Sequence, residues 1–304
     1  MYKYIYMNGL YLIDKPFGIS SFDVIRCMRK SLNMRKMWHT GTLDPFATGA
    51  MLVATGNYTK LIPYLEKVAK TYEFDVMLDG VTDSWDLAEP VSYISAEQQE
   101  HYKHALTQAT VHDILQHSFL GDIEQVPPIY SALKVDGKRA YDRARSGEQL
   151  EMKSRAVTIH EINIIDYAYP RLTLQARVSA GTYIRSIAVD LGEMVWSGGY
   201  VSRLRRTHLD SLDVLSANNI ESLMRDAWSD VPQLDLSSMA LSEVFPHMTC
   251  ICLREDVLVD INHGKLVYEA FDYPLHTDLF VVSDAQVTHI VHYNGEFLKP
   301  VRKI

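Results

Sequence analysis

The chain has 304 residues, 47% hydrophobic and 22% charged, with 15 Gly and 11 Pro, a composition that excludes disordered, collagenous and coiled-coil chains and allows one or two globular domains. No apolar run reaches the ~18 residues of a membrane helix, Tyr2, Lys3, Tyr4 and Asn8 break any secretory core, and the cysteines Cys27, Cys250 and Cys252 make no disulfide framework, so a soluble cytoplasmic protein is expected. The net charge of −8 argues at face value against a nucleic-acid partner, but it is local: residues 210–260 hold ten acids against Arg225 and Arg254, and the rest of the chain is neutral.

Residues 9–14 read as a short buried strand, broken by Lys15-Pro16-Phe17-Gly18. Ser20 or Ser21 then caps a helix whose apolar face is Phe22, Val24, Ile25 and Met28. Gly41, Gly49 and Gly56 mark repeated turns before the next clear strand at 71–78. Paired amphipathic helices are expected over 96–118. The stretch 121–150, with Pro127-Pro128 and little periodicity, reads as a long functional loop holding a short helix. Strands over about 155–166 and 171–179 precede a helix over about 183–195. Strands and helices mix without strict alternation, which predicts an α+β core rather than a doubly wound sheet. Acidic helices near 217–240 lead to a last segment with strand periodicity and turn signals at Asn262-His263-Gly264 and Asn294-Gly295, expected to form a small β-barrel.

Familiar phosphate-loop, nucleophile-elbow, zincin and dinucleotide motifs are absent from the sequence. His247, Cys250, Cys252 and His263 match no recurrent zinc spacing, so no metal is expected and the two thiols are read as buried in a strand. Three basic knots stand out. Residues 24–43 carry Arg26, Arg29, Lys30, Arg35 and Lys36 without an acid; residues 134–155 carry Lys134, Lys138, Arg139, Arg143, Arg145, Lys153 and Arg155 against four acids; and Arg203, Arg205 and Arg206 form the third. Each fits a solvated face or a phosphate-binding surface.

Two blocks carry candidate chemistry. In His39-Thr40-Gly41-Thr42-Leu43-Asp44-Pro45-Phe46-Ala47-Thr48-Gly49, Asp44-Pro45 fits an N-cap and first helical residue as well as a catalytic carboxylate. Gly181-Thr182-Tyr183-Ile184-Arg185-Ser186 lies at a strand-to-helix junction and fits a capped helix with a surface arginine. Together with their neighbours these blocks resemble the bacterial tRNA pseudouridine-55 synthases of the TruB family. The resemblance runs from Leu10 to about Thr207 and includes Leu12-Ile13-Asp14-Lys15-Pro16, Gly18-Ile19-Ser20-Ser21, Lys70-Thr71-Tyr72, Gly121-Asp122-Ile123-Glu124-Gln125-Val126-Pro127, Tyr130-Ser131-Ala132-Leu133-Lys134, Asp190-Leu191-Gly192 and Leu204-Arg205-Arg206.

That resemblance implies an α+β pseudouridine synthase fold with a central mixed, largely antiparallel sheet. It implies a catalytic domain over 1–245, a thumb loop at about 121–150, and a PUA-like RNA-binding β-barrel over 246–304. It makes Asp44 the catalytic carboxylate, Arg185 its partner, and Tyr72 the ring that stacks on the target uracil. His39 would fill the space left by the flipped nucleotide, Tyr183 and Leu204 would wall the pocket, Lys15 would support the site, and Arg143 and Arg145 would contact phosphate. The reaction exchanges no atoms and changes no oxidation state, so no cofactor is expected. The implied partner is tRNA, at its T-arm and elbow, with no obligate protein partner and a monomeric enzyme. Two other readings stand beside it: a non-catalytic tRNA-binding or folding module, opposed by intact Asp44, Tyr72 and Arg185, and a guide-RNA-dependent relative, opposed by the bacterial-type thumb and the lack of basic terminal extensions. The chain departs from the family pattern at Trp38, at Phe46, and in the turn Asp79-Gly80-Val81-Thr82-Asp83-Ser84-Trp85-Asp86.

Overall fold

The computed structural model describes residues 8–131, 133–135, 137–145, 148, 150–220, 236–246, 249–268, 277–283 and 286–304. Strand β1 (Gly9–Lys15) is buried along nearly its whole length. Ser20 caps α1 (Ser21–Ser31) through a reciprocal capping box with Asp23. This helix lays Val24, Ile25, Cys27 and Met28 on the sheet, whereas Phe22, expected in the core, is 44% exposed. The reason is angular: at 100° per residue, Phe22 points away from the face that the other four share.

Strands β2 (Met37–His39) and β3 (Thr48–Thr55) occupy the stretch where glycines suggested only turns. Gly49 serves contact rather than turning. Its φ is +108°, and a Cβ there would stand 2.2 Å from the Arg206 carbonyl oxygen, so only glycine lets β3 lie against its neighbour. A short α2 (Ile62–Leu65) precedes β4 (Lys70–Met77), followed by the hairpin of β5 (Gly80–Val81) and β6 (Ser92–Tyr93). Of the two expected amphipathic helices, α3 (Ala96–Ala105) buries no residue, while α4 (Gln108–Ser118) buries Val111 and Leu115.

The expected loop at 121–150 opens with a sheet strand, β7 (Gly121–Gln125), because its side chains alternate against β10. It continues through β8 (Lys134–Val135), β9 (Lys138–Arg139) and α5 (Ala140–Arg145). Then come β10 (Arg155–Ala168), β11 (Arg171–Val178), α6 (Ile184–Met194), β12 (Tyr200–Leu209), β13 (Leu212–Asp213) and β14 (Asn218–Asn219). The sheet order is β14-β1-β3-β12-β4-β11-β10-β7, with β2 beside β3 and β13 beside β12. Only the β1/β14 and β3/β12 pairs are parallel, so the core is the expected α+β type with a mixed, largely antiparallel sheet. Helices α4 and α6 cover one face, where Val111, Leu115, Ile187 and Leu191 meet Phe74, Leu172 and Leu174.

In the tail, β15 (Cys250–Ile251), β16 (Thr277–Ser283), β17 (Gln286–Tyr293) and β18 (Leu298–Lys303) form a second sheet. Among the described residues this sheet is open, with no ladder from β15 to β18, and the helix Glu255–Asn262 packs on it through Val257 and Ile261. The turn signal at Asn262-His263-Gly264 is therefore the end of a helix, whereas Asn294-Gly295 does turn the chain between β17 and β18. Cys250 and Cys252 share one face of the chain as alternation demands, but that face is exposed and the intervening Ile251 takes the core position. A further apolar cluster joins Leu10, Leu12 and Leu52 to Phe245, Phe280 and Ile290, seating the second sheet on β1 and β3. The acidic helices expected near 217–240 fall mostly on residues 221–235, outside the described residues. Among the described residues, no helix is long and apolar enough to cross a membrane.

Candidate active site

Asp44 sits in the loop between β2 and β3. Pro45 begins no helix: the Ala47 N–H donates to the Asp44 carbonyl at 3.0 Å, closing a turn that runs straight into β3. The N-cap alternative for Asp44 is thus wrong, because β3 claims the following residues for the sheet. Three anchors fix this loop. The Gly18 N–H donates to the Pro45 carbonyl at 2.9 Å, and the Ser21 hydroxyl accepts from the Leu43 N–H at 2.8 Å. Lys15, fully buried, donates through Nζ to the carbonyls of Pro16 (2.9 Å), Ile19 (2.7 Å) and Pro45 (3.3 Å). Burial pulls its ammonium down to about 8, with Asp44 opposing that shift.

Arg185 meets Asp44 from the first turn of α6. Its Nη2 donates to Asp44 Oδ1 at 3.0 Å, and its Nε stands 3.0 Å from Oδ2. Nη2 also donates to the Tyr130 carbonyl at 2.9 Å, Nη1 donates to the Ser84 carbonyl at 2.9 Å, and Nη1 lies 3.4 Å from Asp86 Oδ2. At 3% exposure this is no surface arginine, because the sheet, the 79–86 turn and the chain at Tyr130 close over it. Asp86 is a site residue that sequence reasoning missed. Its carboxylate is buried and accepts from the Ser84 hydroxyl and the Ala88 N–H, both at 2.8 Å. Burial pushes the Asp44 carboxyl above the usual aspartate range; Asp86 adds to that rise, while Arg185 and Lys15 oppose it.

Above this pair opens a cavity of about 390 Å³ whose walls include Tyr72, Tyr183, Leu204, Lys70, Arg155 and Arg206 as well as Asp44 and Arg185. Tyr72 projects from β4 beside Arg206 of β12. Arg206 is almost wholly buried and donates to the Tyr72 hydroxyl (3.5 Å), the Gly41 carbonyl (3.1 Å) and the Ala50 carbonyl (2.6 Å). Gln125 clamps Tyr183, accepting from its N–H at 2.7 Å and donating to its carbonyl at 3.0 Å. The Arg155 guanidinium lies 4.7 Å over the Tyr183 ring and donates to the Gly181 carbonyl.

The structure therefore brings Asp44, Tyr72, Arg185, Tyr183 and Leu204 into one cavity. His39 and Lys15 stand behind its wall. His39 Nδ1 accepts from the Gly41 N–H at 3.3 Å, and burial, reinforced by Arg206, lowers its pKa to about 4, so the ring is neutral near pH 7. Arg143 lies in α5, outside the cavity wall, with Nε 2.6 Å from Glu148; the Arg145 side chain lies outside the described residues. Two arginines of the basic knot at 203–206, Arg203 and Arg205, hold the sheet, whereas Arg206 lines the cavity. Arg203 pairs with Asp75 (2.9 Å) and Glu73 (2.8 Å) on the adjacent β4, and Arg205 reaches across β3 to Asp14 of β1 (2.8 Å), because β12 runs centrally in the sheet.

The family model for TruB family pseudouridylate synthase (N terminal domain) matches residues 29–184, the span that carries Asp44, Tyr72 and Tyr183. The chain belongs to the TruB family. A tRNA pseudouridine synthase B of Flavobacterium johnsoniae is 40% identical over 223 residues, covering 71% of this chain and 94% of that protein. One from Clostridium novyi is 34% identical over 249 residues, covering 80% and 82%. Among solved structures, an H/ACA RNP bound to a substrate RNA containing 2′-deoxyuridine aligns with a TM-score of 0.66 over 97% of this chain and 84% of that one. A Cbf5-Nop10-Gar1 complex aligns with the same TM-score at 18% identity. At such identity these two likenesses show the fold alone, which for this TruB member is the pseudouridine synthase fold.

Proposed function

We propose that this TruB family protein is a tRNA pseudouridine synthase that isomerises uridine 55 of the T-loop. The observation that carries the reading is the Asp44–Arg185 pair at the floor of a cavity walled by Tyr72 and Tyr183. A cavity of this size suits one flipped nucleotide, since buried ligand sites run from about 300 to 1,000 Å³. Its wall carries four cations (Lys70, Arg155, Arg185, Arg206) against Asp44 and Glu66, a balance that favours a phosphodiester-linked substrate.

In the reaction the C1′–N1 bond breaks and its electron pair leaves with uracil. The Asp44 carboxylate then either bonds to C1′ or takes the C2′ proton to give a glycal; the same ionised group serves both routes. The uracil turns within the cavity and C5 bonds to C1′ as the Asp44–C1′ bond breaks or, on the glycal route, as C2′ regains its proton; the C5 proton then departs and N1 takes up a proton. Arg185 holds the carboxylate ionised and aimed, with its own donors fixed by Asp86, Ser84 and Tyr130. The Tyr72 ring offers the stacking face that holds the uracil, and its hydroxyl is held by Arg206. Neutral His39 supplies a flat ring beside the pocket for the space the base leaves. We assign residues 246–304 as a PUA-like domain that contacts RNA. The test is incubation of pure protein with unmodified tRNA transcript and chemical mapping of pseudouridine at single-nucleotide resolution. Product at position 55 is expected, and an unmodified transcript overturns the reading.

A further inference from the structure

Beside the cavity the surface carries aromatic area that the mechanism does not use. Trp38 is 40% exposed and Phe22 44% exposed, on adjacent elements β2 and α1. Their rings lie 6.4 Å apart, tilted by 58°, and the Trp38 indole stacks on His39 at 5.3 Å and 14°. Two cations flank them: the guanidinium carbons of Arg26 and Arg29 stand 5.6 and 5.7 Å from the Phe22 ring centroid. Asp23 pairs with Arg26 at 2.7 Å, while Arg29 Nη2 donates to the Met37 carbonyl at 3.4 Å. The patch is continuous with the active site, since His39 accepts from the Gly41 N–H and Gly41 lines the cavity.

An indole held flat by a neighbouring ring, with cations one side chain away, has the chemistry of a stacking platform for one nucleotide: a π face for the base and guanidinium groups for its phosphate. We propose that Trp38, Phe22, Arg26 and Arg29 form a second nucleotide-binding surface. It receives an unpaired base of the same RNA, near the nucleotide that enters the cavity, stacked on the Trp38 indole. Charge complementarity selects RNA as the occupant, because residues 24–43 carry five basic side chains and no acid. This inference rests on the RNA-modifying reading above.

The experiment measures the Kd of fluorescently labelled, unmodified tRNA transcript with wild-type protein and with Trp38→Ala, Trp38→Leu and Trp38→Phe, each checked for folding by circular dichroism. One stacked base is worth about 5- to 150-fold in affinity, so Trp38→Ala is expected to weaken binding by that range, with the loss carried by KM. Trp38→Phe should keep most of the affinity and Trp38→Leu should not, because leucine covers the same surface without a π face. Transcripts with a single abasic T-loop position locate the stacked base: one such position should weaken wild-type binding and leave Trp38→Ala indifferent. Trp38→Ala binding within about twofold of wild type, or Trp38→Leu equal to Trp38→Phe, overturns the proposal. If wild-type protein forms pseudouridine while Trp38→Ala binds as tightly as wild type, only this surface is refuted. If wild-type protein makes no pseudouridine, the reading beneath it has failed.

Discussion

The layer beneath the cavity and the core of the tail sheet are both sealed from water, by opposite chemistry. Beneath the cavity lie Lys15, Asp86, Arg185 and Arg206, all buried and charged. In the tail the cluster of Ile251, Val257, Ile261, Leu279, Val281, Val291, Tyr293 and Leu298 contains no charge. Apolar burial stabilises directly, at roughly 25 cal/mol per Å². Buried charge is retained where opposite charges and hydrogen-bonding groups answer it, since removing one partner of a buried pair costs about 3–5 kcal/mol. Lys15 spends its three protons on three carbonyls, and Arg185 sits between two carboxylates and two carbonyls. The contrast separates a region organised for packing from one organised around a paired carboxylate, and it can be broken by substitution.

The largest effect is expected at Asp44. Asp44→Asn keeps shape and loses the reactive charge, so kcat should fall by about 10,000-fold or more while tRNA binding stays within a few fold. Single-turnover assays with tritium release from C5 would read it, and near-wild-type turnover would remove Asp44 from the chemistry. Next, in the tail, Leu279→Ala opens a cavity inside that apolar cluster and should cost about 2–5 kcal/mol of stability with the turnover of folded protein retained. Denaturant unfolding beside the activity assay tests whether the two regions are separable. A smaller loss is expected from Arg185→Lys. A point ammonium cannot face Asp44 and Asp86 with a planar fork, so kcat should drop about 100-fold, and retention of activity would contradict the pairing.

The subtlest effect concerns pH. In the proposed reaction Asp44 acts as the carboxylate, and burial has raised its pKa, so kcat/KM should fall as pH drops through a value above the ordinary ~3.9. Asp86 contributes a like charge to that rise. Asp86→Asn should therefore move the acid limb to lower pH, even as the plateau falls because Arg185 is held less firmly. An unmoved or raised limb would show that Asp86 does not act on Asp44 electrostatically.

Much was legible before any coordinates. A cap at Ser20 or Ser21, strands over about 155–166 and 171–179 and a helix over about 183–195 were read from local signals, and each element appears there, with Ser20 as the cap. Strand β3 was missed because Gly49 and Gly56 read as punctuation; Gly49 is there because β12 approaches too closely for a Cβ. Strand β12 was missed because its run of arginines hides the alternation, and those charges are answered by Asp14, Glu73 and Asp75 on other strands.

The motif around residue 44, the order of the blocks and the family resemblance that singles out Asp44, Tyr72 and Arg185 come from the sequence alone. Tertiary structure decided whether Arg185 lies on a surface or under the carboxylate, whether Arg203 and Arg205 stand free or hold the sheet, and which second acid joins the pair. Asp86 lies 42 residues from Asp44 in the chain and meets the same guanidinium only when the 79–86 turn folds over α6. Proximity of that kind is set by which faces of β3, β4 and β12 can pack together. No local propensity encodes it.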